Sequence, residues 1–520
     1  MEVSIMDNNN PQNNSVYRPA SPSVPAYNNA SPVYTSYRPA FIEDEATINF
    51  REKMARKLGL ASIIYAVFGT FCLYKNLSGI TMPFFGIATL AYMIYGLKLY
   101  EVEMKRTSWF YGSIILALSV SNFLTGNPTI LFFNTCGIFL MLFIFLLHNV
   151  YDDSRWSFSK TAMAICEAFT FSFGALDDFG KDMKVLKERS SENEISDDKK
   201  HMIKYVGIGL LVSIPVVGIL LLLLAGADVV FSNILSNCFV FDFHFGTLFG
   251  ITTTFVIIFL SAYCIMRFFS KKTLKEEVED HRNLEPLVAI TVLSMVSVIY
   301  LIFSMIQIVY LFLGGGQLPY DYTYSQYARE GFFQLLAVSI INFLMVLFVN
   351  NHFKESKALK VLMTTISLCT YIMIASSFVR IMMYIDACLL TELRIWVVWG
   401  LTVLTLLFAA VIISIFKHEF PLFKYCIIVV SVMYVIIGFV RMDYVIADYN
   451  LTYMDTIEDD VANQDYEYLK KLSTDAAPAI YKHDPENAEM YIKKNHSFYE
   501  DRSWRQFNIS AYTAELLAED

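Results

Sequence analysis

Long apolar runs, each bounded by a polar or charged gap, recur along most of the chain. Judged against the ~20 residues needed to cross a hydrocarbon core, they predict spans near 58–74, 77–99, 109–124, 128–147, 203–226, 246–268, 285–313, 331–349, 360–384, 391–416 and 422–440. The third is the shortest. Pro215 and Pro286 fall within or at the start of spans, where neighbouring helices re-satisfy the freed carbonyls. The fold class expected is all-α, a polytopic transmembrane helix bundle of about 11 spans with a small C-terminal domain outside the membrane.

Lys and Arg sit in alternate gaps. Arg51, Lys53, Arg56 and Lys57 precede the first span, and Lys98, Lys105 and Arg106 lie between the second and third. Five more flank 267–282, three lie in 354–360, and Lys417 and Lys424 flank the last hairpin, whereas 125–127 and 227–245 have none and 314–330 has only Arg329. By the bias of basic residues toward the cytoplasm, the N-terminus is expected inside and the C-terminal region outside a plasma membrane.

The gaps define the organisation. Residues 1–50, rich in Asn, Pro, Ser and Tyr with Tyr-Arg-Pro-Ala at 17–20 and 37–40, read as a disordered cytoplasmic tail. No short apolar run follows early enough for a signal peptide. Residues 51–147 form a four-span part and 203–440 a seven-span part. Between them, 148–202 is a cytoplasmic connection; Ser157–Leu186 has apolar residues at helical spacing and predicts an amphipathic helix on the membrane or packed under the bundle. Residues 227–245 predict a Phe-rich interfacial helix. Residues 441–520 form an acidic segment expected outside, with helices near Asp465–Leu472 and Asp484–Lys494 and a third capped by Ser510.

Composition agrees with this class. Residues A, V, I, L, M, F, W, Y and C make up 55% and charged residues 17%, with a mean hydropathy of +0.45; soluble domains carry about 25% charge. The net charge of −9 is uneven, and the last eighty residues hold 17 acids against 8 bases. No concentrated basic face suggests nucleic acid. Eight scattered cysteines without a CxxC give neither a zinc site nor a disulfide framework. No HExxH, GxSxG, phosphate-binding loop or dinucleotide fingerprint occurs, and no cofactor or metal is expected. Asn450, Asn495 and Asn508 each begin an Asn-x-Ser/Thr sequence, which matters only in a eukaryote.

Ionisable residues at membrane depth are the candidates for chemistry, because an unpaired charge there is costly. Arg380 and Tyr384 share a helix face, Asp386 follows, and Glu392 and Arg394 open the next helix after a tight turn. Arg329, Glu330 and Gln334 open the eighth helix on the same side. A network of Arg380 and Arg394 with Glu330 and Glu392 could line an anion or proton site, or could lock three helices as structural ion pairs, the reading favoured. Gln307 and Asn342 are expected to bond to neighbouring helices, and Asp228 to be interfacial.

The runs YAREGFFQLLAVSIINF (327–343), RIMMYIDACLLTELRIW (380–396), DYEYLKKLSTDAAPAI (465–480) and RSWRQFNIS (502–510), with ADVVFSNIL (227–235), resemble a family of polytopic membrane proteins catalogued as a domain of unknown function, seen mainly in Gram-positive bacteria. The resemblance covers roughly residues 200–510. Its most specific part is the tail signature Leu-Ser-x-Asp-Ala-x-Pro-Ala, here Leu472, Ser473, Asp475, Ala476 and Pro478 within 472–479, followed by Trp504 and Asn508. At Cys388-Leu389-Leu390 the resemblance implies Tyr-Gly-Leu, so the turn between the ninth and tenth helices is expected to differ. It implies no reaction, substrate or cofactor.

The function expected is that of a non-enzymatic envelope sensor, scaffold or assembly factor, whose partners are the lipid bilayer and an envelope protein met through 441–520. A secondary transporter using the Arg/Glu cluster is the first alternative, although no inverted repeat is visible. A membrane enzyme on lipid-linked substrates is the second; it would need a carboxylate or histidine pair facing a lipid-accessible groove.

Overall fold

The computed structural model describes residues 44–153, 156, 158–192, 245–274, 282–309, 332–417, 420–454, 467–485, 488, 491 and 503–519. The chain divides into two compact units, Met1–Glu45 and Ala46–Asp520, and the fold described is that of the second. Nearly all of the tail expected to be disordered, the span expected at 203–226, almost all of the helix expected at 227–245, and Asp228, Arg329 and Glu330 lie outside the described residues.

Among the described residues the structure is helical, with one isolated β-bridge between Leu284 and Phe353. Helix α1 (Glu45–Lys53) continues through a π-helical turn (Met54–Leu58) into α2 (Gly59–Leu73). There follow α3 (Thr81–Leu99), α4 (Ser108–Leu124), α5 (Pro128–Val150), α6 (Phe158–Ser172), α7 (Ala175–Glu192), α8 (Phe245–Ser270) and α9 (Pro286–Gln307). The remainder are α10 (Phe332–His352), α11 (Lys357–Cys388), α12 (Glu392–Phe416), α13 (Leu422–Phe439), α14 (Met442–Tyr453), α15 (Ala477–His483) and α16 (Ile509–Glu519).

Nine helices among the described residues are long and apolar enough to cross a membrane, namely the run Glu45–Leu73, α3, α5, most of α8, and α9 to α13. Helix α4, at 17 residues, is shorter; it packs against α3, α5 and α13. Ten of the eleven spans read from the pattern are therefore helices at the expected places. The apolar runs build two cores, one centred on α2–α5 and α8 and one on α9–α12. Helix α13 packs on both α12 and α4 and joins them. Local signals fix the boundaries: Asn127 accepts the Ile130 N–H at 3.0 Å and Pro128 opens α5. Inside the second core, Asn342 accepts from Tyr300 and donates to Thr370, and Gln307 accepts from Ser376, all across helix–helix contacts as expected.

The loops gather at two ends. At one, the basic end, Lys424 meets Asp153 at 3.2 Å, Lys105 donates to the Tyr151 carbonyl and Arg282 meets Glu355. At the other, the tail end, α14–α16 lie over the loops that close α2–α3, α4–α5 and α11–α12.

The connection expected to hold one amphipathic helix on or under the membrane holds two, and they form a hairpin beside the spans. Helix α6 leaves the basic end, where Trp156 lies 6.1 Å from Tyr151. It reaches Phe169, whose ring is 6.0 Å from Phe139 and 6.1 Å from Phe143. After the turn at Phe173–Gly174, Phe179 of α7 packs on Phe259 and Tyr263, and Arg189 donates to Asn49 back near the basic end. Phe139 is midway along α5, so the hairpin enters to half the depth of the spans and returns.

Candidate functional site

Of the charge cluster read from the sequence, Arg380, Tyr384, Asp386, Glu392 and Arg394 lie among the described residues. Arg394 (9% exposed) turns back over the loop between α11 and α12, donates to the carbonyls of Cys388 and Leu389, and stacks on Tyr384 with its guanidinium carbon 4.1 Å from the ring centre. It caps the C-terminus of α11, where unsatisfied carbonyls and the helix dipole favour a cation. Arg380 is 8% exposed; Asp386 is exposed and lies within electrostatic reach of Tyr449. Glu392 faces the tail: its backbone N–H donates to the Tyr468 hydroxyl at 3.0 Å, and its Oε1 is buried with no hydrogen-bond partner among the described residues. Gln334 is exposed on α10.

The turn itself explains why Arg394 is needed. Leu389 has φ 57° and ψ −173°, a region that only glycine occupies at ease, and this is the position where the resemblance implied glycine. Asn450 pins the strained turn by bonding both the N–H and the carbonyl of Leu390. Leu389 is also 1% exposed. Leu389→Gly trades burial against strain that costs about 1–3 kcal/mol. Leu389→Ala loses the burial and keeps the strain, at about 2–4 kcal/mol. The glycine variant should therefore melt above the alanine variant, the reverse of the usual order in folded segments.

The tail signature is a clasp. Asp475 (2% exposed) accepts from the Thr125 hydroxyl at 2.5 Å and the Gly126 N–H at 3.1 Å. Asn508 (3% exposed) donates to the carbonyls of Ser78, Asn122 and Thr125, reaching two loops at once. Asp443 accepts from Asn127 at 3.0 Å and from the Ser473 N–H at 2.9 Å. Leu472 and Ala476 are buried in the second core, the Ser473 carbonyl accepts from Tyr491, and Pro478 opens α15. The approach is so close that a Cβ at Gly79 would collide with the Arg505 carbonyl, and one at Gly126 with the Thr474 hydroxyl. Trp504 is 70% exposed with its ring 5.8 Å from Phe71. Ser510 does not cap the last helix as expected. Asn508 caps it, accepting from the Ala511 N–H, and the Ser510 hydroxyl pairs with Thr474.

Burial pushes the Asp443 carboxyl above its ordinary range, with the nearby Asp475 and Glu392 charges adding to the shift. A raised folded value means the folded state holds the proton longer than the unfolded chain, whose value is ~3.9. Stability then falls as pH rises through the interval between the two values. Melting of the wild type and Asp443→Asn against pH should show the wild type gaining, relative to the variant, as pH drops toward 4.

Two further clusters escape a reading of the sequence because their members lie far apart in it. In the first, Asp182 of α7 is fully buried. Its Oδ1 accepts from Arg51 (3.0 Å) and Arg267 Nη2 (3.2 Å), and its Oδ2 from Arg267 Nε and the Tyr263 hydroxyl (2.8 Å each). Asp178 meets Lys271 at 2.6 Å one turn earlier, and Phe50 lies under the Arg267 guanidinium. This hub ties α7 to α1 and α8. Only the Asp178–Asp182 spacing at i,i+4 on α7 hinted at it.

The second cluster is at the basic end. His148 (5% exposed) has Nδ1 2.8 Å from Asp153 and Nε2 2.5 Å from the hydroxyl of the exposed Thr107. Burial raises the Asp153 carboxyl, but His148 and Lys424 outweigh it and hold the group below its ordinary value. With Nδ1–H directed at the carboxylate, Nε2 is left to accept from Thr107. Among the described residues no group of His, Cys, Asp and Glu is arranged to hold a metal ion.

A bundle that is helical and carries nine apolar helices of crossing length among the described residues defines a multi-pass membrane protein. Residues 112–483 match the family model described as "Domain of unknown function (DUF4153)", and the chain belongs to that family. The match begins well before residue 200, where the sequence resemblance began. It includes the clasp residues Asp443 and Asp475 and ends before Trp504 and Asn508. No curated protein and no solved structure matches the chain.

Proposed function

We propose that the protein is a non-enzymatic scaffold of the cell envelope, with its N-terminus in the cytoplasm and its clasped C-terminal segment outside as a rigid docking platform for an envelope protein. The observation that carries this reading is the use made of the polar groups at the tail end. Asp475, Asn508, Asp443 and Arg394 are engaged with loop amides and carbonyls of the chain itself, so the tail is held as a cap over the bundle. The orientation rests on the Lys- and Arg-rich loops, which gather at the end opposite the tail.

The test is photo-crosslinking in cells from probes at the exposed positions Glu467, Lys471 and Lys482. The reading predicts one discrete protein adduct from neighbouring probe sites, lost when the clasp is broken by Asn508→Ala. No adduct from any of the three sites would contradict it.

The Asp153–His148–Thr107 arrangement favours a second reading, a membrane enzyme in which His148 takes the proton from an attacking hydroxyl and Asp153 orients the ring. A fluorophosphonate probe, which phosphonylates an activated hydroxyl with loss of fluoride, should then label Thr107 and fail to label it in His148→Ala. Absence of labelling in the wild type removes this reading.

A further inference from the structure

A cavity of about 260 Å³ lies between the α6–α7 hairpin and the spans α5 and α8, walled by Phe139, Phe143, Phe169, Phe173, Ile257 and Leu260. Phe139 and Ile257 are near the midpoints of their helices. The cavity is therefore at mid-depth, where a bilayer offers only hydrocarbon. Several wall and rim side chains are exposed to the surroundings of the bundle: Phe139 43%, Ile257 59%, Phe169 45%, Phe173 61% and Leu176 46%. One of its two serine hydroxyls, that of Ser172, is already bonded to the Ala168 carbonyl in its own helix. The walls thus offer aromatic and aliphatic surface and little to hold water, and such a void stays dry unless an apolar group fills it.

We propose that this cavity is an acyl-chain site, occupied by one hydrocarbon chain of a membrane phospholipid from the leaflet at the basic end. Two features select that occupant over a protein segment. The hairpin tip, Phe169 to Leu176, presents apolar side chains outward at the same depth, so the opening faces lipid on its own level. The α7 arm is fixed by the buried Asp182 hub to α1 and α8, so the slot is bounded on one side by an anchored helix and keeps its shape without a ligand. An acyl chain recovers the dispersion contacts that the facing walls lack.

The experiment uses the full-length protein in vesicles of phosphatidylethanolamine and phosphatidylglycerol containing a phospholipid with a mid-chain diazirine. After irradiation, adducts are mapped by peptide mass spectrometry. Adducts should be enriched several-fold at 169–176 and 257–265 over the lipid-exposed face of α9, for which Met295 (70% exposed) serves as reference. Filling the cavity with Cys264→Trp, or with Leu260→Trp should the first variant fail to fold, should abolish the enrichment and leave the α9 labelling unchanged. Uniform labelling along both helices would overturn the proposal, as would enrichment that survives filling. Labelling of Phe173→Cys by a membrane-impermeant maleimide would overturn it too, since the tip would then be in water. So would a photo-crosslink from position 261 to a segment of this chain other than the α5, α6 and α7 walls of the cavity.

Discussion

Asp182→Asn is expected to destabilise the protein by about 3–5 kcal/mol, the usual cost of removing one partner from a buried ion pair. The side chain is 0% exposed and its two oxygens accept four hydrogen bonds from Arg51, Arg267 and Tyr263. Asparagine keeps the shape but removes the charge, and it turns an N–H₂ group toward donors that have no other acceptor on that side chain. Two buried guanidinium groups, Arg51 at 9% and Arg267 at 3% exposure, then lose their shared counter-charge. Asp178 stays within 3.9 Å of Arg51 and compensates only in part. The double variant Asp182→Leu/Arg267→Leu should be milder than Asp182→Asn, because an apolar replacement leaves fewer stranded charges. Melting in detergent would check both, with Asp177→Asn as a control: that carboxylate pairs with Lys181 on the surface, and its loss should not move the transition.

Asp475→Ala should release the tail. The substitution strands the Thr125 hydroxyl and the Gly126 N–H in a closed interface, each unpaired donor costing about 1–3 kcal/mol. The loss is local to the clasp, so it should show first as faster proteolysis after residue 454 and faster amide exchange in α15 and α16, and only then as a lower melting temperature. Asn508→Ala should act in the same direction, since its amide is shared among three carbonyls from two loops. If neither variant changed tail proteolysis, the clasp would contribute nothing to holding the segment.

The class of fold was legible because period and length carry it: an apolar run of about twenty residues admits few structures in a bilayer. Among the described residues, basic loops that the sequence placed on one side do meet, as Lys105 and Lys424 do around Tyr151 and Asp153. The hairpin was half legible. Amphipathic spacing over 157–186 predicted helix, but spacing does not record depth, and the exposed phenylalanines at 169, 171 and 173 read equally well as an interfacial face. The tail motif was visible as a pattern of residue types, while its role was not, because the bonds that clasp it to the bundle join positions hundreds of residues apart, such as Asn508 with Ser78. Shorter separations, 85 and 41 residues, were enough to hide Asp182 with Arg267 and Thr107 with His148. The charges at 380–394 stood out in the sequence by their position at membrane depth, and what the sequence lacked was the turn geometry that gives Arg394 two carbonyls to cap. Leu389 is the exception in kind: a leucine occupies a glycine conformation, and the departure from the expected Tyr-Gly-Leu marked the site in advance.

The central claim is that the C-terminal segment is built into the tail end of the bundle, and a disulfide tests it most directly. A Cβ built at Gly126 lies 3.6 Å from the Thr474 Cβ, within the range a disulfide requires. Gly126→Cys/Thr474→Cys would be placed in a chain whose eight cysteines are replaced, with a protease site inserted after residue 454, and mildly oxidised in native membranes. The account predicts that the cleaved fragments stay joined until reductant is added. Fragments that separate without reductant, although each cysteine alone reacts with maleimide, would contradict it.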